Sequence, residues 1–162
     1  MNQSIILIGY MGAGKTTLGK ALSQNLGTDF CDLDWYIEEQ CGKTIPDIFR
    51  ESGEEGFRQI EREMLHEVIG KKNAVIAVGG GTPCFFDNMD YMNDKAMTVY
   101  LKAEIPTLID HLHMSHTKRH CLKVRPIHSW LNTSQTLSAS VNHSTQRQRR
   151  PWRYRQYICR NR

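Results

Sequence analysis

The sequence GYMGAGKT at residues 9–16 decides the fold. It matches the phosphate-loop pattern G-x-x-x-x-G-K-[ST] in full. Before it, SIILI at residues 4–8 is a short, continuously apolar run, typical of a strand covered on both faces of a parallel sheet. After it, the spacing of apolar residues predicts a helix that ends at Gly27, with one apolar face made of Leu18, Ala21, Leu22 and Leu26. A glycine loop between a strand and a helix is the context that supports a phosphate-binding site.

Each part of this loop has a predicted chemical task. The glycines let successive backbone N–H groups turn towards phosphate oxygens at the positive end of the helix. Lys15 is expected to reach the β- and γ-phosphates of a nucleotide, and the Thr16 hydroxyl to ligate Mg²⁺. The alternative is a glycine-rich turn with a surface lysine, which the flanking strand and helix disfavour.

The chain continues as alternating strands and helices up to about residue 110. Capping boxes at Thr44/Asp47 and Ser52/Glu55 mark helix starts, and an amphipathic stripe behind the second predicts a helix from about 54 to 69. Further strands are predicted at 30–33, 74–78 and 98–101, and a helix near Pro106. The fold class is therefore α/β, a three-layer sandwich with a parallel sheet and ligands at the carboxyl ends of its strands.

Three more groups of residues are candidates for the site. Asp32 and Asp34 end the second predicted strand, so in an extended segment both carboxylates face the phosphate loop, one for a metal and one for a substrate hydroxyl. The alternative is that Asp34 caps a helix. Arg58 lies at helical spacing from Glu54 and Glu61, which could orient its guanidinium, although a solvated ion-pair face is the simpler explanation.

The last group is Gly79-Gly80-Gly81, which follows a buried strand. Three glycines there let the backbone approach a small polar ligand or a γ-phosphate, whereas the simpler explanation is a loose turn.

Composition limits the class of protein and divides the chain. All 17 acidic residues lie in residues 1–110 with 10 Lys and Arg, a net charge of −7, whereas residues 111–162 carry +11 and most of the histidines. We expect no membrane span or secretory leader, because the apolar N-terminal run is short and lacks a charged segment before it. Five scattered cysteines favour neither a disulfide framework nor a zinc knuckle, so a cytoplasmic location is expected.

Taken together, GYMGAGKTT at 9–17, Asp32-Leu33-Asp34, Phe57-Arg58 with Glu61, and the three glycines resemble shikimate kinase, over about residues 4–119. The resemblance implies a nucleoside-monophosphate-kinase-like fold with strand order 2-3-1-4-5, a substrate-binding helical segment after the second strand, and a lid over ATP. It also implies transfer of the γ-phosphoryl group of MgATP to the 3-hydroxyl of shikimate, a step in chorismate and aromatic amino acid biosynthesis.

Site roles carry over from the family position by position. The catalytic residues implied are Lys15, Asp34 and Arg58. Asp34, Arg58, Gly79, Gly80 and Gly81 match shikimate-binding positions, with Phe49 and Phe57 as aromatic walls. The nucleotide positions are Gly12, Ala13, Gly14, Lys15, Thr16, Thr17 and Arg119, and the magnesium positions are Thr16 and Asp32. Shikimate and ATP are the partners implied, and a monomer is expected.

After residue 119 the sequence departs from the family pattern. Three accounts of this part stay open: a basic arm that binds nucleic acid, a divergent folded lid, and, as we prefer, a segment out of register with an ordinary kinase ending. We therefore expect a kinase core at 1–110 and an aberrant basic segment, disordered or lid-forming, at 111–162. The alternative functions are a phosphate-loop protein with a tail that binds nucleic acid or a partner, and a related kinase such as gluconate kinase. Pairing of Asp34 with Arg58 favours the kinase, and a nucleic-acid partner is disfavoured because residues 1–110 offer no basic groove.

Overall fold

A computed structural model describes residues 3–71 and 73–114 of the chain. Strands and helices alternate in this part, which confirms the α/β class. The strands are β1 (Ile5–Gly9), β2 (Asp29–Asp32), β3 (Ala74–Ala77) and β4 (Met97–Leu101). The helices are α1 (Lys15–Leu26), α2 (Leu33–Cys41), α3 (Ile45–Gly70), α4 (Asn88–Lys95) and α5 (Ile105–Met114), with a short 3-10 helix at Thr82–Cys84.

The strands form one parallel sheet in the order β2-β3-β1-β4. β1 lies inside the sheet and pairs with both neighbours, so that Ile6 is in register with Ile76 and with Thr98. The order agrees with the 2-3-1-4 part of the family order, and the predicted fifth strand lies outside the described residues. Because all strands run in one direction, the loops after β1, β2 and β3 meet at one edge of the sheet.

Alternating side chains of the strands fill two cores, one on each face of the sheet. Ile6, Ile8, Ile76 and Val78 face the larger core, which α2, α3 and α4 cover with residues such as Ile37, Leu65 and Met92. Ile5, Leu7 and Val75 face the other side, where Leu22 of α1 and Phe30 pack against them. The result is the predicted three-layer sandwich, with β1 buried along its whole length.

The predicted apolar face of α1 is buried only in part, through Leu22. Leu18 and Leu26 are 44% and 36% exposed, whereas Gly19 and Ser23 are the buried residues of the helix. A Cβ atom added to Gly19 would lie 2.4 Å from Cε2 of Phe30. The helix is thus turned so that Gly19, which has no Cβ, and the small side chain of Ser23 lie against the sheet. Apolar spacing does not reveal this close approach.

Helix α2 begins directly after β2, so the prediction that residues 32–34 form an extended segment is wrong. Asp32 is the N-cap of α2, and its Oδ1 accepts a hydrogen bond from the backbone N–H of Asp34 at 3.2 Å. A capping carboxylate satisfies one of the orphan N–H groups of the first turn. Asp34 therefore lies in the first turn of α2, and the cap is Asp32 rather than Asp34.

The predicted helix at 54–69 is the second part of α3. Thr44 caps the start of α3 by accepting from the N–H of Asp47, which confirms the predicted helix start, and its hydroxyl donates to Oδ2 of Asp47 at 2.6 Å. Gly53 interrupts the helix with φ 67° and ψ −175°, a conformation that glycine adopts far more readily than other residues. The predicted helix start at residue 54 lies directly after this break. In residues 3–71 and 73–114, no helix is both long and apolar enough to cross a membrane.

Candidate active site

The phosphate loop joins β1 to α1, as predicted. Gly12 and Gly14 have φ 82° and 85°, left-handed values that favour glycine. Lys15 begins α1, and its Nζ donates hydrogen bonds to the carbonyl oxygens of Gly9 at 2.8 Å and Tyr10 at 3.0 Å. The N-cap of α1 is Gly14, which has no side chain, so the N–H groups of the first turn open towards the loop. Thr17, another predicted nucleotide residue, is exposed on this turn.

Thr16 and Asp32, the predicted magnesium residues, are in contact. The Thr16 hydroxyl donates to Oδ2 of Asp32 at 2.8 Å, which brings the start of α1 against the end of β2. Among the described residues there is no group of three or more His, Cys, Asp and Glu side chains able to hold a metal. One hydroxyl and one carboxylate are nevertheless enough protein ligands for Mg²⁺, because water molecules and phosphate oxygens fill its other coordination positions.

Arg58 is held from its edges and its face. Nη1 donates to Oε2 of Glu61 at 2.7 Å, and Nη2 lies 3.6 Å from Oε1 of Glu54. The guanidinium carbon stands 3.9 Å above the ring of Phe85. The Arg58 side chain is 12% exposed and that of Glu61 only 1%, so this pair is not the solvated ion-pair face considered above. Burial and several contacts fix the direction of the guanidinium.

Glu61 also ties Arg58 to the glycine turn. Oε1 of Glu61 accepts from the hydroxyl of Thr82 at 2.5 Å, and Thr82 directly follows Gly81. Thr82 is in turn held through its carbonyl oxygen, which accepts from the side-chain amide of the buried Asn88 at 3.0 Å. A buried carboxylate that accepts from two donors is well compensated for its lost hydration.

The three glycines form a tight turn, not the loose one considered above. The backbone N–H of Thr82 donates to the carbonyl oxygen of Gly79 at 3.2 Å, and the backbone N–H of Cys84 donates to the carbonyl oxygen of Gly81 at 2.9 Å. A Cβ atom would be crowded at Gly79 and Gly81, whereas at Gly80 it would make an ordinary contact. A Cβ atom added to Gly79 would lie 3.2 Å from Oδ1 of Asp34. One added to Gly80 would lie 3.4 Å from the backbone nitrogen of Met11, and one added to Gly81 would lie 3.1 Å from Nη2 of Arg58. None of the three has a positive φ, so it is the close approach of neighbouring groups that favours glycine at positions 79 and 81.

Most of the predicted residues therefore meet at one edge of the sheet. The glycine turn lies beside the phosphate loop, Asp34 and Arg58, close enough that added Cβ atoms would contact them, and Thr16 is hydrogen-bonded to Asp32. Phe57 is 4% exposed and belongs to the core, and its ring stacks on Phe49 with centroids 4.4 Å apart. Arg119 lies outside the described residues.

Sequence reasoning missed Thr82 and Phe85 as parts of the site. Thr82 had one available signal, its place directly after the glycine turn, whereas nothing in the sequence relates Phe85 to Arg58.

Cys31 is next to Asp32 but is not a reactive group. Burial, followed by the charge of Asp32, raises the pKa of its thiol from 9.0 to about 11. The thiolate is the nucleophilic form, so Cys31 stays protonated and unreactive at neutral pH.

Comparison with known families and structures agrees with this geometry. A family model described as shikimate kinase matches residues 11–155. A shikimate kinase of Phocaeicola vulgatus is 55% identical over 115 residues, which cover 71% of this chain and 66% of that protein. One of Bacteroides thetaiotaomicron is 52% identical over 119 residues, covering 74% of this chain and 68% of that protein. The chain thus spans about two thirds of the length of these relatives.

Solved structures show the same fold. A crystal structure of shikimate kinase from Bacteroides thetaiotaomicron has a TM-score of 0.76 and 47% identity, covering 82% of this chain and 75% of that one. Shikimate kinase from Acinetobacter baumannii, solved in complex with shikimate, has a TM-score of 0.67 and 38% identity, covering 70% of this chain and 63% of that one.

Proposed function

Because the chain belongs to the shikimate kinase family, we propose that it transfers the γ-phosphoryl group of ATP to the 3-hydroxyl group of shikimate. One observation carries the proposal. A glycine turn at the end of β3 lies against the phosphate loop on one side and against Asp34 and Arg58 on the other. A phosphate donor and a carboxylate-bearing acceptor bound to these groups would be neighbours, and phosphoryl transfer depends chiefly on such alignment.

The nucleotide side consists of the phosphate loop and the start of α1. Lys15 supplies a positive charge for the β- and γ-phosphates, together with the N–H groups of Ala13 to Thr17. Thr16 and Asp32 offer hard oxygen atoms 2.8 Å apart, which fit Mg²⁺ as part of an ATP complex. Bound there, the ion would neutralise charge on the phosphates.

The acceptor side consists of Arg58, Asp34 and the glycine turn. In the described part of the chain, Nε of Arg58 is buried without a hydrogen-bond partner, so the protein does not use the full donor capacity of this guanidinium. We assign it the carboxylate of shikimate. Asp34 accepts the proton of the attacking hydroxyl while the new O–P bond forms and the bond between the γ-phosphorus and the bridging oxygen breaks, which releases ADP.

This division of the site predicts which ligand each variant loses. Lys15→Ala should weaken ADP binding and abolish transfer while the fold stays intact, because Lys15 is half-buried and makes its contacts to the loop itself. Arg58→Ala should weaken shikimate binding by about 10- to 100-fold, the loss expected for charge-assisted hydrogen bonds, and leave ADP binding near normal. Asp34→Asn should likewise spare ADP and lose transfer. Titration calorimetry with each ligand measures both affinities.

Lys20→Ala is the matched control for Lys15, since Lys20 is an exposed lysine on the same helix. Equal losses of ADP and shikimate affinity in Arg58→Ala would show that the division is wrong. Normal transfer by Lys15→Ala would exclude the phosphate-loop mechanism. Family membership favours shikimate over gluconate as acceptor. The cytoplasmic location, the monomeric state and the lid role of Arg119 stay predictions.

A further inference from the structure

Helix α5 lies directly against the phosphate loop. Nδ1 of His111 is 2.8 Å from the carbonyl oxygen of Gly12. A carbonyl oxygen only accepts hydrogen bonds, so Nδ1 must carry the proton and donate. The neutral imidazole is thereby fixed as the Nδ1–H form, with Nε2 as the free acceptor nitrogen.

The packing of Gly12 gives a second, independent sign of this contact. A Cβ atom added to Gly12 would lie 3.2 Å from the carbonyl oxygen of Leu108 and 3.3 Å from Cγ of Leu112. Residues 108, 111 and 112 share one face of a helix because they are three and four positions apart. This face of α5 meets the loop at Gly12, where a side chain of any other residue would be crowded.

The hydrogen bond acts on a peptide unit that shapes the loop. The N–H of the same unit, that of Ala13, donates to the carbonyl oxygen of Tyr10 at 3.1 Å. With its carbonyl held by His111 and its N–H held by Tyr10, the peptide between Gly12 and Ala13 is fixed at both ends. The direction of this peptide sets the turn that leads into the first N–H groups of α1.

Two other carbonyl oxygens of the phosphate loop accept hydrogen bonds from Lys15, a residue that is also expected to bind phosphate. Lys15 donates to the carbonyl oxygens of Gly9 and Tyr10, and it is also the residue that we assign to phosphate. Nucleotide binding would draw Lys15 away from these oxygens at least in part. His111 has no assigned role in binding phosphate, so its hydrogen bond can persist while Lys15 changes partners.

We propose that His111 is a positioning residue that holds the phosphate loop in its nucleotide-binding shape. The proposal rests on the proposed function, since the loop must bind a nucleotide for the positioning to matter. His111 acts through the Gly12 peptide and does not itself touch the reacting atoms. Shikimate binding, which involves the other side of the glycine turn, should not depend on it.

The test compares ADP and shikimate affinities of variants by titration calorimetry. His111→Ala should raise the dissociation constant of ADP by about two- to tenfold, the range for loss of one hydrogen bond, and leave that of shikimate unchanged. His111→Asn should restore most of the affinity, because its side-chain amide nitrogen can replace Nδ1 as donor. His113→Ala is the matched control, since His113 is exposed like His111 and lies on the same helix.

Unchanged ADP affinity in His111→Ala would overturn the proposal, and so would equal losses in His111→Ala and His113→Ala, which indicate a loosened helix. A nitrogen-correlated NMR spectrum of the intact protein in mildly alkaline buffer gives an independent test. The proposal requires the Nδ1–H form of His111, and an Nε2–H form would contradict it even if His111→Ala did not fold. Absence of ADP binding in the unmodified chain would contradict the proposed function, whereas the NMR result would still decide the hydrogen bond.

Discussion

Glu61 links Arg58 to Thr82, so we expect the proposed acceptor half of the site to depend on it. It is almost completely buried and accepts from both Arg58 and Thr82. Glu61→Gln keeps the shape but removes the charge that compensates the guanidinium. We expect it to lower the free energy of unfolding by about 1–3 kcal/mol and to weaken shikimate binding while ADP binding is kept. Urea unfolding and calorimetry measure both effects.

Glu54→Gln is the control for this prediction. Glu54 is half-exposed and lies 3.6 Å from Nη2 of Arg58, so its loss should change stability by at most about 1 kcal/mol. If the two variants behave alike, Glu61 has no special role in positioning Arg58.

His66 makes stability depend on pH. Its ring stacks on Tyr91 with centroids 3.7 Å apart, and burial, followed by the charge of Arg62, lowers the pKa of the imidazole, whereas Asp87 acts in the opposite direction. The unfolded chain, with an ordinary histidine pKa near 6.5, therefore binds a proton more readily than the folded chain does. Stability should fall as the pH drops from about 7.5 through the ordinary pKa towards the lowered one.

His66→Phe keeps an aromatic ring on Tyr91 but removes the titrating group. We expect a smaller loss of stability between about pH 7.5 and pH 5 in this variant than in the unmodified chain, measured by urea unfolding at each pH. Equal losses in the two proteins, or greater stability of the unmodified chain in acid, would contradict the assignment.

Individual site residues were predictable where the chemistry is local in the sequence. Lys15 and Thr16 follow from one contiguous motif, whereas the spacing of Arg58 to Glu61 left a solvated ion pair as the simpler explanation, and the site role of Arg58 came from the family resemblance. Phe85 and His111 were not predictable as parts of the site. Phe85 lies 27 positions after Arg58, and His111 lies 99 positions after Gly12, so only the folded chain brings each pair together.

Helix α1 shows how close packing can override apolar patterning. The leucines at 18 and 26 suggested the buried face, but the sheet needs the narrow side at Gly19 to let the ring of Phe30 approach. The existence and length of the helix followed from its glycine boundaries, whereas its rotation depended on a contact with another strand.

Two glycine-to-alanine variants test this account of α1. Gly19→Ala should lower the free energy of unfolding by about 1–3 kcal/mol, because the new methyl group overlaps Phe30 and approaches Leu7. Gly70→Ala, at the end of α3, is the matched control. A Cβ atom there meets nothing within 4 Å, so the variant should be neutral or up to about 1 kcal/mol more stable. Thermal unfolding compares the two, and a neutral Gly19→Ala would refute the tight contact.

Helix α2 shows that residue patterning can also misplace the start of a helix. An alternating pattern placed Asp32 and Asp34 on one strand, but the Asp32 carboxylate caps α2 and ends the strand one residue earlier. The two aspartates nevertheless both lie at the site. Asp32 faces Thr16 and Asp34 faces Gly79, so the roles assigned to them need no shared strand face.

In the chain as a whole, parallel strand order assembles a site from distant segments. The loops after β1, β2 and β3 come together because these strands are neighbours in the sheet. The fold class and the site edge could thus be predicted from motifs at strand ends. The change in composition after residue 110, where acidic residues cease, plays no part in this prediction. The family match extends to residue 155, and the roles of residues 115–162 stay predictions.

Phosphorylation of shikimate by ATP is the activity that we propose for this chain. The most direct test is a coupled assay of ADP formation with the full chain, run with and without shikimate. We predict ADP formation that depends on shikimate, matches the shikimate 3-phosphate produced, and disappears in Lys15→Ala. ADP formation at the same rate with and without shikimate, and no phosphorylated shikimate, would contradict the claim.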